Sequence, residues 1–178
     1  SMVLSYPKYH INTTSVNANP VTSEISVADT IRALSRVDIT GEVVDDNGNV
    51  LSDFNGLVYP TVFDKKQTVS TLGQDAGIGG SLPVDFEIQR NIIFKGKATV
   101  TNGVFSFSFI VPKDIAYQYD KGRISYYAEN GQLDAHGYTD KVIIGGIDEN
   151  ATPDEDGPAV DIFMNDEKFV FGSITNAN

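Results

Sequence analysis

An Asn-Gly pair between two alternating segments constrains the fold of this chain more than any other feature. Apolar and polar residues alternate along residues 94–101 before Asn102-Gly103, and again along residues 104–111 after it. A period of two places alternate side chains on opposite faces of a sheet. Asn-Gly is the strongest short signal for a two-residue turn, because both turn residues take positive φ. The segment is therefore predicted to be a β-hairpin in which Val100 faces Phe105.

The two-residue turn also predicts the register further along the hairpin. It pairs Ala98 with Phe107, Gly96 with Phe109 and Phe94 with Val111. Small residues opposite two of the phenylalanines leave room for the rings. We therefore predict that Phe105, Phe107 and Phe109 are all buried on one face of the sheet.

Further short segments carry strand patterns. They lie at 37–43, 57–59, 124–128, 142–144, 160–164 and 169–171. Residues 26–34 fit either a helical turn or a strand, Pro60 predicts an edge or a bulge, and residues 45–49 predict a tight turn. Short strands separated by turn residues, without a long helical pattern, predict an all-β sandwich.

The charge and composition exclude several classes of function. Asp and Glu number 24 and Lys and Arg 13, which gives a formal charge of −11. Such a chain is unsuited to nucleic-acid phosphates and to anionic membranes, and it favours a basic or neutral partner. Cysteine is absent, so the chain has no thiolate nucleophile, disulfide or cysteine zinc site. No apolar run approaches the ~20 residues of a membrane span.

Three segments carry a resemblance to a known family. They are Ser52–Gly56 (SDFNG), the FSFSF strand with Val111–Asp114 (VPKD), and Ile124–Ala128 (ISYYA). They resemble the region after the peptidase domain in PorU-type proteins, the gingipain-related sortases of type IX secretion. The similarity extends over most of residues 3–178, and it implies an immunoglobulin-like antiparallel β-sandwich with N- and C-terminal extensions.

The resemblance also implies what the parent protein does. The parent would be a gingipain-family cysteine peptidase with a Cys–His pair, which cleaves C-terminal sorting signals and attaches cargo to surface lipopolysaccharide. It would be exported and associated with the outer membrane or cell surface. This chain lacks cysteine, and neither His10 nor His136 lies in a gingipain-type catalytic motif. The fragment is therefore expected to have no catalytic residue and no cofactor. Its expected partners are the peptidase domain of the same chain, secretion-system proteins and cargo.

Four divisions of the chain are expected. Residues 1–25 comprise a tag remnant (Ser1-Met2), the tail of the preceding peptidase domain and a linker, and residues 26–147 form the β-sandwich. Residues 148–158 are an acidic connector, and residues 159–178 add strands that begin the next segment. Tyr6, Tyr9 and Ile11 are expected to pack partly on the sandwich.

Acidic clusters and a Gly-rich loop supply the candidate metal, acid–base and phosphate sites. Carboxylates that could bind calcium are Asp148, Glu149, Asp154, Glu155 and Asp156. They lack the spacing of an EF-hand, so a solvated connector is the favoured interpretation. Asp134, His136 and Asp140 could form a small acid–base or metal cluster, although a polar loop is favoured there. The Gly-rich residues 73–83 lack the Gly-Lys-Ser/Thr ending of a phosphate loop.

Tyrosines supply the candidates for surface binding. They are Tyr117, Tyr119, Tyr127 and Tyr138, with Tyr126 in the same group. A tyrosine combines an apolar ring with a hydrogen-bonding tip, which suits sugars and peptides, although tyrosines are also common in sandwich cores. Two functions follow as hypotheses: a non-catalytic module that braces or docks the peptidase domain, or a module that binds carbohydrate or cargo. A hydrolytic fragment is a third hypothesis, but no Gly-x-Ser-x-Gly motif or serine triad is present.

Overall fold

The computed structural model describes residues 8–22, 30–73 and 80–151. These residues form fourteen strands and no helix. In chain order β1 to β14 are Tyr9–Val16, Asn19–Pro20, Thr30–Ala33, Arg36–Val44, Gly56–Phe63, Gln67–Ser70, Asp85–Ile88, Ile92–Lys95, Ala98–Thr101, Val104–Ile110, Asp120–Lys121, Arg123–Glu129, Asp134–Thr139 and Ile143–Ile147. The predicted all-β class is confirmed. The strands predicted at 160–164 and 169–171 lie outside the described residues.

Seven strands form a closed ring of hydrogen-bonded neighbours. The order is β12, β13, β1, β4, β10, β9 and β5, and β5 pairs again with β12. The β1–β13 pair is parallel and the other six pairs are antiparallel. The immunoglobulin-like sandwich is not confirmed, because these pairings close into a barrel rather than separating into two sheets.

The hydrophobic core combines the buried side chains of this ring with Ile31, Ala33 and Ile144 from β3 and β14. Side chains alternate between buried and exposed along β12, where Ile124, Tyr126 and Ala128 are buried. The same alternation along β4 buries Val37 and Ile39. Period-two alternation is what a sheet with one apolar and one solvated face requires.

The first strand is part of the ring. The sequence places residues 9–16 in a tail and linker ahead of the sandwich, whereas the structure inserts β1 between β13 and β4. Ile11 is buried and Tyr9 packs against the core, as expected for both residues, while Tyr6 lies outside the described residues. A tight turn at Asn17 and Ala18, both with positive φ, leads into β2.

The predicted hairpin is present, but its pairing is shorter than predicted. Asn102 and Gly103 have φ of 51° and 77°, and Val100 faces Phe105. Beyond that pair the strands separate: β10 pairs along its whole length with β4, and β9 pairs with β5.

The predicted pairs Ala98–Phe107, Gly96–Phe109 and Phe94–Val111 are therefore wrong. The chain leaves strand geometry between β8 and β9, at residues 96 and 97. Aromatic rings pack beside this break, where the Phe94 ring stacks 4.5 Å from that of Phe109 and 5.7 Å from that of Phe107. Phe105 and Phe109 are buried as predicted, whereas Phe107 is only half-buried.

Two smaller sheets flank the ring. Strand β14 lies between β11 and β3, which agrees with the internal strand predicted at 142–144. Strands β6 and β7 form a separate two-stranded hairpin that the sequence pattern did not indicate. Pro60 does not mark an edge, because β5 has neighbours on both sides. It lies where the partner of β5 changes from β9 to β8.

Candidate functional site

A row of aromatic side chains crosses the outer face of the ring. Register pairs Tyr59 on β5 with Tyr127 on β12, Tyr127 with His136 on β13, and His136 with His10 on β1. We call these four residues the aromatic row. The strand alternation that buries Tyr126 and Ala128 turns Tyr127 outward, and its side chain is 45% exposed.

Both ends of the aromatic row contact carboxylates. The Tyr59 hydroxyl donates to Glu129 Oε1 at 3.3 Å, and partial burial together with that carboxylate raises the pKa of Tyr59. At the other end, His10 Nε2 lies 3.1 Å from Asp46 Oδ1. The rings of Tyr59 and Tyr127 are stacked at 6.2 Å, and those of His10 and His136 are tilted at 5.8 Å.

A polar cleft adjoins the aromatic row on the same outer face. The parallel ladder between β1 and β13 covers only two residue pairs, and beyond it the strands diverge. The resulting cleft has a volume of about 620 Å³ and is lined by Asn12, Thr13, Thr14, Val21, Glu42, Tyr138, Thr139, Asp140 and Lys141. Thr13 is hydrogen-bonded to the buried Tyr126 hydroxyl at 2.8 Å, so the cleft reaches the edge of the core.

The hairpin β6–β7 presents apolar side chains to solvent. We call residues 67–73 and 80–88 the hairpin arm. Leu72 and Leu82 are 87% and 81% exposed, and Val84 and Phe86 are also exposed. At the base of the arm Lys65 Nζ donates to Asp64 Oδ1 at 2.8 Å and to the Ala116 carbonyl at 2.7 Å.

The four candidate tyrosines are all exposed, but they do not form one platform. Tyr127 and Tyr138 share the outer face, where the guanidinium of Arg123 lies 4.7 Å from the Tyr138 ring centre. Tyr117 and Tyr119 lie on the segment that enters β11, beside β14, where the Tyr117 carbonyl accepts the Gly146 N–H. Tyr126, in contrast, is buried in the core.

The acidic candidates that lie among the described residues do not converge on a metal site. Of the calcium candidates, Asp148 and Glu149 are described, and Asp148 accepts the backbone N–H of Asn150. Asp154, Glu155 and Asp156 lie outside the described residues. On β13 the structure exposes Asp134 and His136 on one face, while Asp140 lines the cleft. Across residues 8–22, 30–73 and 80–151, no three His, Cys, Asp or Glu side chains are placed to hold a metal.

The Asp-Asn-Gly run at 45–49 forms the predicted turn. Asp45 Oδ1 accepts the backbone N–H of both Asn49 and Asn47. The hydrogen bonds from Asn49 hold the pKa of Asp45 below its usual value, and the bond from the Asn49 backbone has a larger effect than the bond from its side chain. The carboxylate is thereby occupied with closing the turn.

Sequence reasoning missed Tyr59, His10 and the arm. Tyr59 stands in a predicted strand, and a tyrosine across from Tyr127 becomes visible only when β5 and β12 are paired. His10 meets His136 through a parallel pair between distant segments, which no local pattern encodes. Within the part of the chain that is described, no helix has the length and apolarity to cross a membrane.

Comparison with solved structures relates the chain to a known protein. No protein-family model and no curated protein matches the chain. Among solved structures, dimeric latent PorU from Porphyromonas gingivalis superposes with a TM-score of 0.69 at 28% identity, over 92% of this chain and 15% of that one. Spo0M, a sporulation control protein from Bacillus subtilis, gives a TM-score of 0.43 at 11% identity, over 79% of this chain and 51% of that one. A β-glucosidase from Listeria innocua gives a TM-score of 0.28 at 13% identity, over 81% of this chain and 17% of that one.

The last two likenesses are too distant to support an argument. The first extends along nearly the whole chain, and this chain spans about 15% of the length of the PorU chain. The protein is thus related to one region of PorU.

Proposed function

We propose that this chain is a non-catalytic β-module of a PorU-like peptidase, and that it docks and braces the peptidase domain of its parent. The relation to PorU covers 92% of this chain but 15% of that one, so most of a PorU-like parent would lie outside this domain. In this proposal the domain is the region that follows the catalytic domain. The parent would be a cysteine peptidase of type IX secretion, exported to the cell surface.

The exposed apolar side chains of the hairpin arm carry the proposal. A two-stranded hairpin alone is marginally stable in water, and leucines at 87% and 81% exposure cost free energy unless something covers them. Exposed apolar surface gathered on one element is typical of an interaction site. The arm is therefore the part of the module that we propose docks on the peptidase domain.

The buried pair at the base suits the arm to a bracing role. The side chains of Asp64 and Lys65 are each 8% exposed, and Lys65 also binds the Ala116 carbonyl. Gln89 Nε2 donates to the Asp64 carbonyl at 2.7 Å, so the end of β7 is bonded to the residue that precedes Lys65. Such a pair fixes geometry, because removing one partner would leave a buried charge unpaired.

The test uses the full-length gene product that contains this chain. A variant with Leu72→Ser, Leu82→Ser and Phe86→Ser removes the apolar surface of the arm. The matched control, Val104→Ser with Ile110→Ser, changes exposed apolar residues on β10. The isolated domain should melt within about 2 °C of wild type in both cases, because surface substitutions usually change stability little.

In the full-length parent, the arm variant is expected to lower folded yield and cargo processing several-fold, while the control behaves as wild type. A parent that carries the arm variant and processes cargo at the normal rate would contradict the docking role. A loss in the control as well would assign the defect to general surface polarity.

Saccharide binding at the polar cleft is the second candidate function. The cleft combines one exposed aromatic ring, Tyr138, with hydroxyl, amide and carboxylate groups, which is the mixture of a few polar groups and an aromatic surface that small-molecule sites use. Glycan-array binding that is lost in Tyr138→Ala and retained in Tyr117→Ala would support it. Absence of binding to every glycan on the array would remove it.

A further inference from the structure

The only two histidines of the chain meet on the outer face of the ring. The sequence contains His10 and His136 and no other histidine. They are register partners on the parallel strands β1 and β13, both exposed, with ring centres 5.8 Å apart. We propose that His10 and His136 together bind one Zn²⁺ ion, through one imidazole nitrogen each.

The spacing of the rings fits this ion. A Zn–N bond of about 2.0–2.1 Å, added to about 1.1 Å from nitrogen to ring centre, places each centre about 3.2 Å from the metal. Two such rings at the tetrahedral angle have centres about 5.2 Å apart, and opening the angle to roughly 130° gives the observed distance. Two cis ligands of square-planar Cu²⁺ would need centres about 4.5 Å apart and two trans ligands about 6.4 Å apart, so the observed 5.8 Å matches neither planar arrangement.

Asp46 orients one of the two proposed ligands, His10. Its carboxylate accepts from His10 Nε2 at 3.1 Å, and because a carboxylate can only accept, the proton of the neutral imidazole lies on Nε2. Nδ1 then carries the free lone pair for the metal. A ligating histidine that donates its other N–H to a carboxylate is the usual arrangement of zinc sites, where the carboxylate orients the ring and increases its basicity.

The site offers two protein ligands and leaves the others open. Structural zinc sites use four protein ligands, whereas sites with fewer keep positions for water or another molecule. In the described part of the chain, no third His, Cys, Asp or Glu side chain completes the set. The ion is therefore held at an open site, with affinity below that of a closed one.

Zinc at this position would join one of the two shortest ladders in the ring, each of which has two residue pairs. Only two residue pairs connect β1 with β13, and the metal would cross-link one of those pairs through its side chains. Because the ion binds only the assembled site, it should stabilise the folded chain by mass action.

The test is titration of tag-free protein with ZnCl₂, using imidazole NMR signals and the melting temperature as readouts. With two histidines, each ring signal is assigned by comparing His10→Gln and His136→Gln with wild type. We expect one Zn²⁺ per chain, simultaneous shifts of both rings, and a rise in melting temperature. Either single variant should weaken binding at least tenfold, and Asp46→Asn should weaken it less.

Control titrations separate this site from general attraction to an acidic surface. CaCl₂ at the same concentration should leave both imidazole signals unmoved, because calcium prefers oxygen ligands. Zinc that binds both histidine variants as tightly as wild type would overturn the proposal. So would imidazole signals that do not move at millimolar zinc, or that move independently at different zinc concentrations.

Discussion

Phe105 is among the most deeply enclosed aromatic residues of the described core, at 2% exposure. Its ring lies where a side chain on Gly41 would stand, and it packs 5.6 Å from the Tyr126 ring. Phe105→Ala should therefore cost about 3–5 kcal/mol of unfolding free energy, the range for emptying a core phenylalanine site. Phe107→Ala, at a half-buried site, should cost clearly less. Urea unfolding of both variants measures the difference, and equal losses would contradict the assigned faces.

Tyr126 makes stability sensitive to alkaline pH. Burial raises the pKa of its phenol, although the hydrogen bond between its hydroxyl and that of Thr13 offsets part of the effect. The folded-state pKa exceeds the unfolded value near 10, so the unfolded chain releases this proton first as pH rises. The contribution of the Tyr126 phenol to the free energy of unfolding is fully present below about pH 10. Above that pH it declines by about 1.4 kcal/mol per pH unit until the folded-state pKa is reached.

Tyr126→Phe isolates that contribution. The variant should lose about 1 kcal/mol at pH 8, the usual net worth of one hydrogen bond, and should lose less stability than wild type between pH 10 and pH 11. Chemical unfolding at the three pH values tests this. Parallel stability curves for the two proteins would show that Tyr126 does not titrate differently in the two states.

Burial along one strand was predictable from sequence, but the partners of each residue were not. Alternation places Ile124, Tyr126 and Ala128 on one face of the strand, and the structure buries that face, whereas the sequence alone left Tyr126 among the candidates for surface binding. Alternation also predicts that Phe107 is buried, but the structure leaves it half-buried, because β9 separates from β10 before reaching it. The meeting of His10 with His136 depends on a parallel pairing across nearly the whole described chain, which local periodicity cannot specify.

Among the elements, the β9–β10 hairpin shows how strongly a turn can be encoded. Gly103 and Gly48 both have positive φ, 77° and 83°. A Cβ on Gly103 would meet the Leu51 backbone, whereas Gly48 has open space around it. Gly48→Ala should cost about 1 kcal/mol from backbone strain alone, and Gly103→Ala should cost more. Thermal melts of the two variants compare the losses of stability. A larger loss for Gly48→Ala would contradict the predicted effect of the contact between residue 103 and the Leu51 backbone.

Two elements whose place in the fold could not be predicted from sequence share a physical cause. Strand β1 lies next to a turn-rich segment that resembles a linker, and only its pairing with β4 and β13 reveals it as part of the ring. In the hairpin arm nearly every residue of β6 and β7 is exposed, so the arm lacks the buried–exposed alternation by which a strand is recognised. The Asn102-Gly103 turn was found because two residues are sufficient to define it.

At the scale of the whole molecule, we expect no peptidase activity from the isolated chain. It contains no cysteine in 178 residues, and the nucleophile of a cysteine peptidase is a thiolate. Purified protein incubated with a peptide library should give no cleavage above a buffer control. Turnover that co-purifies with the folded monomer and persists after a second chromatographic step would contradict this expectation.

The closed ring has a consequence for how the chain is made. During synthesis β1 emerges first, yet its neighbour β13 is complete only after residue 139. Until then β1, β4, β10, β9 and β5 can form only an open sheet whose outer strands, β1 and β5, have unpaired backbone edges. Such edges are templates for pairing with other chains. The hairpin formed by β12 and β13 pairs with both edges, so the nascent protein is exposed to aggregation until that last hairpin leaves the ribosome.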